Sequence, residues 1–289
     1  MSENDDYQDS NEAKASMDHI YDQSDPRAYF RELKTHGYSI PDRAKPVFAG
    51  LLDALRRSRP GPLHVLDLGC SYGVNTALLK HDLSMQELYD HWSAPQFSEA
   101  SPAEVVADDR RFFEEMDQRQ GVSFLGLDQA KLAVGYAESV GLLDIGISVN
   151  LDRDPLPEGA REKLEDVDLV TSTGCVGYVT ERTFDRIIPA VAHGKPAWMA
   201  NFVLRMFPFE EIAARLSRQG YVTEKLEGAN FLQRRFASRD EERQVIAQLH
   251  QIGLDPELET ESGCLQAELY VSRPAADVAD MPLDRLLAA

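Results

Sequence analysis

The stretch HVLDLGCSYGVNTALLK, residues 64–80, constrains the fold more than any other part of the sequence. An apolar run ends at Asp67, a turn containing Gly69 and Gly73 follows, and a helical pattern begins directly after it. A buried strand that leads through a glycine turn into a helix is typical of open α/β sheets, which bind ligands at the carboxyl ends of their strands. The sequence therefore predicts a strand over 63–68, a helix over 74–81 and a ligand site between them.

Apolar runs and helical periods alternate along most of the remaining chain. The predicted strands are 122–127, 144–149, 167–171 and 196–203, and the predicted helices are 129–140, 181–193 and 209–219. This alternation indicates an α/β fold with a doubly wound, mostly parallel, seven-stranded sheet. The segments NFLQRRF and LQAELYV instead alternate apolar with polar residues, which predicts an antiparallel carboxyl-terminal edge.

The amino-terminal region divides into two parts. Residues 1–17 are acidic and poor in apolar side chains, so we expect a disordered tail. Residues 18–60 predict a helical cap, whose first helix has Ser24 or Asp25 as its N-cap and Pro26 at its first position. A second helix is expected around 42–58.

The remaining residues, 61–289, predict the main ligand-binding domain, interrupted by an insertion at 82–120. Within the insertion, SMQE and SPAE both have the Ser-x-x-Glu form of a capping box, so we expect two helices. A long insertion in a compact domain is more often functional than idle. We therefore expect it to overhang the ligand cleft.

The net charge and the cysteine content limit the partners and the kinds of site that the sequence allows. The chain has 30 basic and 49 acidic residues, a net charge of −19, which disfavours nucleic acid and anionic membranes as partners. Cys70, Cys175 and Cys264 form no Cys-x-x-Cys pair, so the sequence indicates neither a disulfide framework nor a metal site. The sequence has neither a signal-peptide pattern nor a run of about 20 apolar residues. We expect a cytoplasmic protein.

The spacing of the glycines argues against the dinucleotide-binding motif and the P-loop and favours a ligand without phosphate. A dinucleotide fingerprint needs a middle glycine, but Cys70, Ser71 and Tyr72 fill the interval between the two glycines, and no P-loop sequence follows. The remaining pattern suits a ligand with a cationic group and no phosphate, because a carboxylate can face an ammonium group. A nicotinamide dehydrogenase is therefore disfavoured.

Four segments resemble class I S-adenosylmethionine-dependent methyltransferases. VLDLGCSYG is similar to the first motif of this family, and VSFLGLDQAKLAVGYAESVGL, residues 122–142, is similar to its second strand and following helix. SVNLDRDPLP resembles the turn after the third strand, and VDLVTSTGCVGYVT resembles the fourth strand and its loop. The resemblance covers roughly 64–203. It implies S-adenosylmethionine as the cofactor and methyl transfer as the activity.

The resemblance also implies roles for individual residues. Asp128 inherits the acid that holds the ribose hydroxyls, although it is also placed to cap the following helix. It lies further from the first motif than the roughly 20 residues usual in such folds, a difference that the insertion explains. Asp152 is open to a second interpretation, as a solvated charge. The implied cofactor-binding residues are Asp67, Gly69, Cys70, Ser71, Gly73, Asp128, Gln129, Asn150, Leu151, Asp152 and Thr173.

The methyl acceptor is less constrained. We expect a small molecule that is methylated on oxygen or nitrogen, bound beneath 17–60 and 82–120, with the insertion governing its recognition. A general base is needed only if the nucleophile arrives protonated, and the sequence offers Tyr178 and His91 as candidates, leaving the catalytic residues unassigned. The alternative is a non-catalytic cofactor-binding or interaction module with the same fold. A homodimer is left open.

Overall fold

The structure is a computed structural model that describes residues 20–192 and 194–287. The predicted disordered tail, 1–17, lies outside the described residues. The described part of the chain forms one mixed sheet with helices on both faces. Its strands are β1 (Leu63–Leu68), β2 (Val122–Asp128), β3 (Ile145–Ser148), β4 (Leu169–Thr173), β5 (Trp198–Leu204), β6 (Tyr221–Lys225), β7 (Phe231–Arg235) and β8 (Cys264–Pro274).

The sheet has the predicted doubly wound order. The strands are arranged β3-β2-β1-β4-β5-β8-β6, and β1 to β5 are parallel. β8 runs antiparallel to β5, β6 and β7. Because Ala267 pairs with both Leu204 and Phe231, β7 lies on the outer edge of β8, end to end with β6. The eight strands thus fill seven positions, and the antiparallel carboxyl-terminal edge is confirmed.

The helices of the α/β unit begin and end within two residues of their predicted bounds. The helices are α1 (Arg27–Thr35), α2 (Ile40–Ser58), α3 (Val74–Lys80), α4 (Met85–Trp92), α5 (Pro102–Glu114), α6 (Lys131–Ser139), α7 (Ala160–Leu164), α8 (Glu181–Val191), α9 (Glu210–Arg218), α10 (Arg239–Gln251), α11 (Glu257–Ser262), α12 (Ala275–Asp280) and α13 (Leu283–Leu287).

Helix α2 packs against the sheet, and the segment that contains α1 and α2 is called the cap below. Helix α1 begins one residue later than predicted: Pro26 precedes its first turn, and the Asp25 carboxylate accepts a hydrogen bond from the Arg27 N–H at 3.1 Å. The loop between the helices is joined to β7 by two backbone hydrogen bonds. Ser39 donates to the Gln233 carbonyl and Arg235 donates to the His36 carbonyl, both at 2.8 Å. The cap is therefore fixed to the antiparallel edge.

The insertion holds the two predicted helices, α4 and α5, each with a complete capping box at its start. Asp109 on α5 is fully buried. Its carboxylate accepts hydrogen bonds from Trp92 Nε1 at 3.0 Å and from the Tyr136 hydroxyl at 2.6 Å, and it lies 2.7 Å from His91 Nε2. The Asp109 carboxylate thus links α4 and α5 of the insertion to α6, the helix that follows β2.

Candidate functional site

A cleft lies at the carboxyl ends of β1 to β4 and extends under the cap. It encloses about 1240 Å³, including the part that is open to solvent. Its walls come from the turns after these strands, from the cap and from β7. Nine of the implied cofactor residues line it, namely Gly69, Cys70, Ser71, Asp128, Gln129, Asn150, Leu151, Asp152 and Thr173.

The turn after β1 depends on close backbone approach. Gly69 has φ +72°, and a Cβ at this position would lie 2.5 Å from the Cβ of Cys175 in the loop after β4. Ser71 also has a positive φ, +46°. The absent side chain at Gly69 therefore makes room for the loop after β4.

Gly73 is not part of the cleft lining. It stands at the N-cap position of α3 with φ +77°, and a Cβ there would lie 3.2 Å from the Cβ of Ala137. This glycine allows α3 to start close to α6. The structure therefore gives Gly73 a packing role beside the cofactor role that the resemblance implies.

Asp128 ends β2 next to the glycine turn. Its carboxylate accepts hydrogen bonds from the backbone N–H groups of Ser71 and Ala130, both at 2.9 Å. Burial raises the pKa of Asp128, and the hydrogen bonds from these N–H groups oppose the rise. A carboxylate offers about four acceptor positions, so two remain for hydroxyl groups in the cleft. Capping of the helix start and ligand binding are thus compatible in one side chain.

Asp67 lies behind the cleft wall and not on its surface. Its Oδ1 accepts hydrogen bonds from Asn75 Nδ2 at 2.9 Å and from the Thr171 hydroxyl at 3.3 Å. Its Oδ2 is buried and has no hydrogen-bond partner among the described residues. Burial raises the pKa of Asp67 to about 7. Asn75 Nδ2 also donates to the Thr173 hydroxyl at 3.0 Å, and both residues line the cleft, so Asp67 is connected to the cleft wall through these neighbours.

The turn after β3 forms an adjoining wall. Asn150 donates a hydrogen bond to Gln129 Oε1 at 2.7 Å. The Asp152 carboxylate accepts hydrogen bonds from the N–H and hydroxyl of Thr180 and, at 3.0 Å, from the Thr183 hydroxyl. Asp152 is therefore not a solvated charge, because it fixes the β3 turn to the start of α8.

The two candidate bases lie in different places. Tyr178 lines the cleft and is 44% exposed. His91 does not line it, because its ring stacks on Phe112 at 4.0 Å and bonds Asp109 inside the insertion. The structure therefore brings only Tyr178 to the site.

The insertion lies outside the cleft. Among the described residues that line the cleft, none comes from 82–120, so the expectation that this segment overhangs the ligand is wrong. It lies behind the cap: the Tyr89 hydroxyl donates to the Tyr38 carbonyl at 2.7 Å, and Trp92 stacks on Phe30 at 4.0 Å. Its effect on the site is indirect, through the position of the cap.

Several lining residues were not identified from the sequence. The cap contributes Tyr21, Tyr29 and Tyr38, and α3 contributes Asn75. Gln233 and Arg234 enter from β7. Arg234 is buried and forms two hydrogen bonds to Glu241, at 2.6 and 2.9 Å, so its charge is neutralised. Burial raises the pKa of Tyr38 to about 12, so this tyrosine is neutral at physiological pH.

Residues 20–192 and 194–287 contain neither a metal-binding cluster nor a membrane-spanning helix. No group of three or more His, Cys, Asp or Glu side chains in these ranges is arranged to hold a metal ion. None of the helices in the same ranges has the length and apolar character needed to cross a membrane.

Comparison with known proteins gives matches in structure only. No family model matches the chain, and no curated protein matches it in sequence. The plantazolicin methyltransferase BamL, in complex with a triazolic desmethylPZN analog and SAH, is 12% identical; the match covers 93% of this chain and 97% of BamL, with a TM-score of 0.46.

Two further structures match a smaller share of this chain. The magnesium protoporphyrin IX methyltransferase ChlM from Synechocystis PCC 6803, with bound SAM, is 10% identical over 82% of this chain and 81% of ChlM, with a TM-score of 0.40. Against EvdMO1 the identity is 14% and the TM-score 0.39, and the match covers 78% of this chain but only 40% of that one. The strand order, the antiparallel β8 and the glycine turn after β1 give this chain the Rossmann-like fold of class I S-adenosylmethionine-dependent methyltransferases.

Proposed function

We propose that the chain is an S-adenosylmethionine-dependent methyltransferase that acts on a small-molecule acceptor. One observation carries the proposal. The carboxylate of Asp128 lies 2.9 Å from the N–H of Ser71, so the acid after β2 and the glycine turn after β1 form one edge of a cleft that continues beneath the tyrosines of the cap. The cleft therefore has a polar end and an aromatic end.

The polar end fits the cofactor on the evidence of unused hydrogen-bonding groups. The Ser71 hydroxyl is buried without a hydrogen-bond partner among the described residues, and Asp128 keeps two acceptor positions. Asp128 would hold the ribose hydroxyls, and Leu151 would contact the adenine. Asn75 and Thr173, with Asp67 behind them, would face the amino-acid part. S-Adenosylmethionine supplies an electrophilic methyl group on a sulfonium when it is bound.

The protein's contribution to such a reaction is alignment and exclusion of water. Tyr29 and Leu33 of the cap are buried and line the cleft, so they separate its inner end from solvent. Holding two reactants in line in a dry site contributes most of the rate enhancement when the transferred group is already activated. A proton has to be removed only from a protonated nucleophile, and Tyr178 is the candidate base that reaches the cleft.

The small-molecule acceptor follows from the shape and charge of the chain. The inner end of the cleft is roofed by the cap, and a net charge of −19 repels a nucleic-acid backbone. We also place the protein in the cytoplasm, because its described cysteines, Cys70, Cys175 and Cys264, are all free thiols. Whether oxygen or nitrogen is methylated depends on the acceptor.

Isothermal titration calorimetry tests the cofactor, with NAD as the control ligand. We expect S-adenosylhomocysteine and S-adenosylmethionine to bind and NAD not to bind. Binding of NAD alone would refute the proposal. Transfer of a labelled methyl group to a panel of phenols and amines then tests activity. Tight cofactor binding without transfer to any acceptor would instead favour a non-catalytic module.

A further inference from the structure

Gln233 occupies an irregular position in β7. Leu232 pairs with Gln266 and Arg234 pairs with Leu265, so Gln233 is the extra residue of a β-bulge. A bulge breaks the alternation of side chains along a strand and re-aims the extra residue. This explains why two consecutive residues, Gln233 and Arg234, both line the cleft.

The side-chain oxygen of Gln233 has no hydrogen-bond partner in the part of the chain that the structure describes. The residue is 3% exposed, and this oxygen is buried. Leaving a buried acceptor unpaired destabilises a folded protein. The amide also presses against Gly174, which has φ +71° and whose missing Cβ makes room for Gln233 Nε2. The β-bulge at Gln233, the contact with Gly174 and the unpaired Oε1 of Gln233 thus all lie at the same part of the cleft wall.

The cleft that Gln233 lines also has aromatic walls from the cap. Tyr21 and Tyr38 line the same cleft, and their rings pack edge-to-face against Tyr29 at 5.4 and 6.4 Å. The backbone carbonyl of Gln233 accepts a hydrogen bond from Ser39 at 2.8 Å, so the strand and the cap loop hold the amide in place together. A ligand here would lie against a wall that Gln233 shares with aromatic side chains of the cap.

We propose that Gln233 binds the methyl acceptor and selects one with an N–H or O–H group beside an aromatic or apolar body. This inference rests on the proposed methyltransferase function. The implied cofactor groups lie at the ends of β1 to β4, whereas Gln233 enters from β7, which β5 and β8 separate from β4 in the sheet order. Gln233 is therefore placed for the second substrate, next to the loop after β4.

Matched pairs of fragments test the selection without knowledge of the natural acceptor. The pairs are phenol with anisole and indole with 1-methylindole, which differ by one hydrogen-bond donor. Dissociation constants are measured by NMR titration with and without S-adenosylhomocysteine. Gln233→Met keeps the side-chain length and removes the amide, with Gln233→Leu as the second variant. Gln244→Met makes the same change at an exposed position on α10.

In the wild-type protein we expect phenol and indole to bind about fivefold more tightly than their methylated partners, the effect of one hydrogen bond. Gln233→Met should remove this preference, leave the affinity for S-adenosylhomocysteine within about twofold and give a ligand-free Tm equal to or above that of the wild type. Gln244→Met should keep the preference.

Three results would overturn the proposal: no preference in the wild type, a preference that survives in Gln233→Met and Gln233→Leu, or a lower Tm in both variants, which would show that the amide serves the fold. A loss of more than about tenfold in S-adenosylhomocysteine affinity would assign Gln233 to the cofactor instead. Failure of the wild type to bind S-adenosylhomocysteine would refute the proposed function, and the fragment preference measured without it would still decide the role of Gln233.

Discussion

Replacing Asp128 by alanine tests the polar end of the cleft most directly. The change removes the acceptor for two backbone N–H groups, those of Ser71 and Ala130, and the two positions left for hydroxyls. A hydrogen bond to a charged group contributes about 1.5–3 kcal/mol. Loss of one such bond to the cofactor would weaken S-adenosylhomocysteine binding roughly 10- to 150-fold. The same change should destabilise the protein, since the turn after β1 loses its anchor.

Asp144→Ala provides the matched control. The Asp144 carboxylate accepts a hydrogen bond from the N–H of Phe124, also on β2, at 2.7 Å, but it does not line the cleft. We expect Asp144→Ala to lower the Tm in a similar way while leaving the affinity for S-adenosylhomocysteine within about twofold of the wild type. The comparison separates damage to β2 from loss of a ligand contact.

Calorimetric titration with S-adenosylhomocysteine and thermal unfolding of the three proteins give the required numbers. If Asp128→Ala binds the ligand as tightly as the wild type, Asp128 does not hold the ribose and the cofactor assignment of the β2 end is wrong. If both variants lose the same affinity, the effect of Asp128 is structural. Only a selective loss in Asp128→Ala agrees with the proposed site.

Burial raises the pKa of Asp67 to about 7, above its value in an unfolded chain. The protonated carboxyl group therefore stabilises the folded protein fully below pH ~4, and this contribution to the free energy of unfolding is lost as the pH rises through 7. Asp67→Asn should therefore have a Tm that falls less than that of the wild type between pH 5 and 8, and parallel Tm profiles would contradict the assignment. Gly69→Ala should destabilise the protein by about 2–4 kcal/mol in urea unfolding, because φ is +72° and the new Cβ meets Cys175. Cys175→Gly in the same chain should restore part of that loss, and no recovery would show that backbone strain alone is responsible.

The parts of the fold that local sequence determines were predictable. The strands of the parallel sheet are continuous apolar runs, and the capping boxes at Ser84 and Ser101 are complete within four residues. The meeting of Asp128 with the turn after β1 follows from two neighbouring parallel strands whose carboxyl ends share an edge. These features need no knowledge of distant contacts.

Features that depend on strand register or on docking were not predictable. Gln233 lines the cleft because β7 has a bulge, and the segment NFLQRRF reads as regular alternation without its partner strand. The position of the insertion depends on contacts far along the chain, such as the guanidinium of Arg27 donating to the carbonyls of Phe97 and Ala100 at 2.6 and 2.8 Å. Two capping boxes establish that α4 and α5 are helices, but they do not determine which surface the helices cover.

The insertion therefore supports the cap, and Asp109 is the residue on which that support depends. Its buried carboxylate interacts with His91, Trp92 and Tyr136, which lie on α4 and α6. Asp109→Asn removes the buried negative charge that binds these three groups and turns one acceptor oxygen into a donor, which His91 can accept only in the tautomer whose Nε2 carries no proton. We expect a loss of about 3 kcal/mol in stability and a Tm lowered by about 6–12 °C.

The affinity for S-adenosylhomocysteine should change little in Asp109→Asn below its unfolding temperature, because no residue of 82–120 is among the described residues that line the cleft. Asp108→Asn, one position earlier on α5, is the control: its carboxylate pairs with Arg111 at the surface, where an ion pair adds little to stability. A large loss of ligand affinity at an unchanged Tm in Asp109→Asn would show that the insertion contacts the ligand after all. A lower Tm with normal affinity would place its role in holding Tyr38 and the cap, since α4 carries the Tyr89 hydroxyl that bonds the Tyr38 carbonyl.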